Sequence, residues 1–86
     1  MDSKKIENAF VEVIEALGEV QYKEEIKDTP KRIADSYKEI FYGIGINPKE
    51  VLKRTFEVNS DELIIEKNID FYSMCEHHFL PFFGTI

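Results

Sequence analysis

Apolar residues recur at helical spacing from the start of the chain, with Ile6, Phe10, Val13, Ile14 and Leu17 on one stripe and Glu7, Glu12 and Glu15 largely on other faces. The pattern predicts a first helix that begins at Ser3 and stops at Gly18. Asp28-Thr29-Pro30 then announces a second helix, because Asp or Thr can cap free amides and Pro loses nothing at the first helical position. Ile33, Tyr37, Ile40, Phe41 and Ile44 give it one apolar face, and Gly43 or Gly45 ends it. Asn47-Pro48-Lys49-Glu50 repeats the grammar for a short helix to about Lys53, with Glu50 where a capping box wants it.

After Arg54 the period changes from helical to alternating. Phe56 and Val58, then Leu63, Ile64 and Ile65, then Ile69, Phe71, Ser73 and Cys75 on one parity, predict strands. Asn59-Ser60-Asp61 is a turn signal, and Asn68 marks a bulge within the long run from about Glu62 to Met74. Phe82 to Ile86 reads as a further strand just starting. The fold class expected is α+β, with a mainly helical region over 1–53 and the first antiparallel strands over 54–86. The expectation is a single partial domain, without repeats or linkers.

Composition adds a constraint on stability. A single domain of 86 residues buries only about 60–65% of its unfolded surface, which leaves it marginal alone. Seven Phe and four Tyr argue for an apolar surface that packs or meets a partner. The net charge of -6 disfavours nucleic acid and anionic membrane as partners. One cysteine excludes an intrachain disulfide, and no apolar run approaches the ~18 residues of a membrane span or resembles a signal peptide. The expected location is cytoplasmic.

The candidate chemistry is concentrated in Cys75-Glu76-His77-His78, which holds the only cysteine and both histidines. Thiolate and neutral imidazole are the side chains best suited to zinc, and an imidazole moves protons near neutral pH. Cys-x-x-His alone leaves two readings open, a metal site or a buried thiol beside two surface imidazoles. The strand-end position and the nearby Glu76 carboxylate favour the first. Adjacent side chains at His77 and His78 are expected to point apart, one toward a metal and the other toward a substrate. Lys31 and Arg32, in the first turn of the second helix, oppose the helix dipole. They are either solvated surface charges or the cationic part of a phosphate site.

Asp28-Thr29-Pro30-Lys31-Arg32-Ile33-Ala34, then Tyr37 to Gly43, then Phe71 through Gly84 around Cys75-Glu76-His77-His78, resemble in order and spacing the N-terminal half of GTP cyclohydrolase I. Enzymes of that family open the imidazole ring of GTP by zinc-dependent hydrolysis. They release C8 as formate and reclose the ring to 7,8-dihydroneopterin triphosphate, at the entry to folate and pterin synthesis. The resemblance implies Cys75 and His78 as two of three ligands to Zn2+, which activates water for attack at C8. It implies His77 as proton donor to the purine, and Arg32 as a contact to the GTP triphosphate, in a neighbouring subunit's site. It also implies a tunnelling fold assembled as a toroidal homodecamer with active sites between subunits.

The family continues beyond the position of Ile86 with further strands, long helices, the guanine-binding residues and a histidine-x-cysteine segment that supplies the third zinc ligand. The resemblance therefore implies that these 86 residues alone bind zinc weakly or not at all and turn over no GTP. An alternative use of the segment is a noncatalytic oligomerising or metal-binding module derived from the enzyme. A structural zinc knuckle is disfavoured, because two good ligands do not close a tetrahedral site.

Overall fold

The computed structural model describes residues 1–18 and 23–86. In chain order the regular elements are helix α1 (Ser3–Ala16), a 3-10 turn (Glu24–Ile26), helix α2 (Thr29–Ile40), helix α3 (Pro48–Val51) and strands β1 (Asp70–Met74) and β2 (Pro81–Thr85). The class is α+β, helices followed by an antiparallel pair, an order consistent with part of a tunnelling fold. Contacts gather into two compact units, 1–42 and 43–86.

In the first unit α1 packs on α2. Asp2 caps α1 by accepting a hydrogen bond from the Lys5 amide at 3.0 Å, one position before the start expected at Ser3. The helix stops at Gly18, whose φ of 80° lies where a side chain would be strained. Ile14, Pro30 and Ala34 are buried, while Ile6, Phe10, Ile33, Tyr37, Ile40 and Phe41 are half-buried. Tyr37 links the helices: its ring meets Phe10 edge-on at 5.6 Å and Phe41 at 5.2 Å, and its partial burial raises the phenol pKa. Val13 and Leu17, on the edge of the stripe read from the sequence, are exposed.

Helix α2 starts at the Asp28-Thr29-Pro30 signal but without the expected side-chain cap. Asp28 has φ -95° and ψ 0°, outside the extended region from which a cap reaches back to the amides, so only its carbonyl serves, accepting from the Arg32 amide at 3.1 Å. The helix ends at Ile40, sooner than expected, and Ile44 lies beyond it among turn residues and is exposed.

In the second unit Asn47 caps α3 as read, accepting from the Lys49 amide at 3.1 Å, and the helix ends at Val51. Glu50 pairs with Lys53 instead of closing a capping box.

The strand prediction is right at its end and wrong before it. Residues 53–69 form neither helix nor strand, although Phe56, Leu63, Ile64 and Ile65 are good strand formers. A strand exists only where its amides find a ladder, and among the described residues only β1 and β2 do so. Unpaired, the apolar side chains of that stretch stand exposed, Phe56 at 88%. Asn68 does not bulge a long strand. With φ 60° it turns the backbone just before pairing begins, a left-handed conformation Asn tolerates better than most residues. Ile69 and Ile86 then exchange hydrogen bonds at 3.1 and 3.0 Å, and pairing runs from Asp70 with Thr85 to Met74 with Pro81.

Candidate functional site

The antiparallel ladder brings the chemistry-bearing tetrapeptide into one tight connection. Cys75 directly follows β1, and Glu76, His77 and His78 form the turn that leads through Phe79 and Leu80 into β2. Two backbone bonds close it: the Cys75 amide donates to the Leu80 carbonyl at 2.8 Å, and the Phe79 amide donates to the Cys75 carbonyl at 2.9 Å. Phe79 carries the reversal with φ 57°, an unusual conformation for a bulky residue that the two bonds beside it help hold.

This curl turns amides toward sulfur. The His77 and His78 backbone N–H groups donate to Cys75, and their hydrogen bonds hold the thiol pKa below its ordinary value, favouring the thiolate. Cys75 is half-buried, while Glu76, His77 and His78 are exposed. The turn thus presents one thiolate-disposed sulfur and two accessible imidazoles within four residues. A thiolate and an imidazole are the donor types zinc selects, so Cys75 together with either imidazole offers a partial ligand set. Among the described residues no three of His, Cys, Asp and Glu gather about a common point, so the set needs a donor from elsewhere.

One expectation about the histidines fails. The rings of His77 and His78 do not point apart but lie edge to face, centroids 4.2 Å apart and planes at 77°. The alternation of side chains applies to extended backbone, and these two residues occupy a turn.

Arg32 lies in the other unit, in the first turn of α2. Its side chain is exposed, and its guanidinium reaches Asp28 only at 3.9 Å. Lys31 is held more firmly, donating to Asp35 at 2.9 Å, and Lys38 donates to the other oxygen of Asp35 at 2.9 Å. The conflict between cations and the helix dipole is therefore eased by carboxylates on the same helix. Of the two cations, Arg32 keeps the more available donors.

Three contributors to this geometry were not read from the sequence. The amides of His77 and His78 act through backbone direction, which residue types do not reveal. Phe79 gave no signal, since phenylalanine is rare at positive φ. Gly84 did give one: glycine inside a strand often marks close approach, and the Phe71 ring lies against it.

Comparison with known proteins bears on this turn and on α2 together. The GTP cyclohydrolase I family model matches residues 6–86. The chain is 85% identical over all of its 86 residues to GTP cyclohydrolase 1 of Fusobacterium nucleatum subsp. nucleatum, covering 46% of that protein. Over the same 86 residues it is 51% identical to GTP cyclohydrolase 1 of Clostridium perfringens, covering 46%, and 50% identical to that of Streptococcus sanguinis, covering 47%. The chain thus spans about half the length of the curated relatives it matches.

Proposed function

This chain belongs to the GTP cyclohydrolase I family, and from that premise we propose that it supplies the metal-binding and proton-donating turn of a hydrolase that opens the imidazole ring of GTP. The products are formate and 7,8-dihydroneopterin triphosphate, and the reaction serves folate and pterin synthesis in the cytoplasm. The observation that carries the reading is the turn itself, in which a sulfur facing two amides and two exposed imidazoles lie within four residues.

Cys75 and His78 hold zinc as two of its ligands, and a third comes from residues outside this chain. Zinc, when bound, supplies Lewis acidity that brings the pKa of water toward neutrality. The His77 and His78 amides lower the Cys75 thiol pKa, which eases its conversion to the ligating thiolate. His77 donates a proton to the purine as the ring opens, a role suited to an imidazole near pH 7. The edge-on contact of the two rings sets His77 beside the ligand His78. Arg32 binds a phosphate of GTP in a neighbouring subunit of a homo-oligomer, a decamer in the full-length family, using the guanidinium that Asp28 engages only at 3.9 Å. The apolar faces left exposed on the hairpin suit such an assembly.

The test joins this chain to the second half of the Fusobacterium relative, in place of the matching residues, and measures formate released from GTP. His77→Asn should abolish release while zinc and GTP are retained. Loss of zinc in that variant would reassign His77 as a ligand.

A further inference from the structure

Gly84 stands opposite Phe71 in the ladder, and a Cβ placed on it would lie 2.8 Å from Phe71 Cζ and 2.9 Å from Cε1. Real side chains do not approach so closely, so the Phe71 ring lies where only glycine leaves room. From there the ring meets Phe82 edge-on, centroids 6.3 Å apart and planes at 78°. Phe82 pairs with Ser73, the ladder ends at Met74 with Pro81, and just beyond it the Cys75 amide donates to the Leu80 carbonyl at 2.8 Å. Side-chain contacts therefore run along one face from Gly84 to Phe71 to Phe82, and the backbone ladder leads on from the Phe82–Ser73 pair to the Cys75–Leu80 closure.

We infer that Gly84 is a positioning residue for the Cys75–His78 turn, acting through the Phe71 ring seated on it and the Phe71–Phe82 pair. The inference rests on the reading of that turn as a metal and proton-transfer site. Phe71 is about one-third exposed, so its ring can swing outward when a methyl group arrives, and the β1–β2 ladder need not break. What is lost is the lateral contact to Phe82, and with it the restraint on the strand ends from which the turn is built.

Gly84→Ala, made in this chain and followed by amide hydrogen exchange and amide chemical shifts, tests the idea. Exchange at the Cys75 and Phe79 amides should accelerate about tenfold, and the His77 and His78 amide shifts should move. The Ile69 and Ile86 amides at the open end should change less. Phe71→Leu in the Gly84→Ala background, which shortens the offending side chain, should return the turn shifts toward those of Phe71→Leu alone. Equal acceleration at all four amides with unmoved turn shifts would overturn the inference, reducing Gly84 to general packing. So would unprotected Cys75 and Phe79 amides in the parent chain. Excess Co2+ added to this chain joined to the second half of the Fusobacterium relative separates the underlying reading: with the exchange pattern as expected, absence of a sulfur-to-cobalt absorption band in that joined protein refutes the metal assignment and leaves the positioning of the turn standing.

Discussion

Ile14 gives the sharpest stability test, because it is the buried residue of α1 where that helix meets α2. Ile14→Ala removes three carbons, and buried Ile→Ala changes cost about 2–5 kcal/mol according to how far the site can relax. Here the side chain lines an open groove of about 190 Å³ together with Val11, Glu15, Ile26, Lys27 and Pro30. The space vacated joins a groove that water already reaches, so the cost belongs near the lower end, about 2 kcal/mol. Ile14→Val should cost about 0.5–1 kcal/mol. A unit this small has about 3–5 kcal/mol in total, so the alanine variant loses about half of it. With a urea dependence of about 1 kcal/mol per M, the midpoint of the helical circular dichroism transition should fall by about 2 M for alanine and by about 0.5–1 M for valine. Equal midpoints for all three proteins would refute the claim that Ile14 packing joins α1 to α2.

Two pH dependences follow from the named contacts. Cys75 alkylation should reach half its limiting rate at a lower pH in the folded chain than in the same chain in denaturant, since the His77 and His78 amides lower the thiol pKa. The associated stabilisation is complete above the unfolded thiol value and is lost as pH falls through the folded one; coincident alkylation curves would remove the amide contact from the account. Asp35, held by hydrogen bonds first from Lys38 and then from Lys31, has its carboxyl pKa brought down to about 2. Its contribution to α2 is present above the ordinary carboxyl range and is lost as pH falls through about 2. Carbon-detected NMR titration should show this, with Lys38→Ala moving the midpoint upward, and an ordinary Asp35 midpoint in the parent chain would exclude the bridge.

The sequence was most legible where local chemistry decides the outcome. Gly18 stops α1, Pro30 begins α2 and Asn47 caps α3, because each acts through its own backbone or side chain within one turn of helix. It was least legible where a partner decides: Phe56 and Leu63 to Ile65 have strand character, yet strand formation depends on a ladder that residue types do not specify. The site divides in the same way. Cys75 at the end of a strand was readable from alternation, and the family from the motifs around it. The contact of the His77 and His78 rings was not, because it depends on a turn whose reversal falls on Phe79, a residue type that does not advertise positive φ.

The most direct measurement of the central claim is formate release from GTP by this chain joined to the second half of the Fusobacterium relative, with zinc counted per subunit, in parent and Cys75→Ser forms. The account predicts about one zinc per subunit and GTP-dependent formate in the parent, with both lost in the serine variant. Undiminished zinc and formate after Cys75→Ser, or neither in a parent that folds and assembles as the relative does, would contradict it.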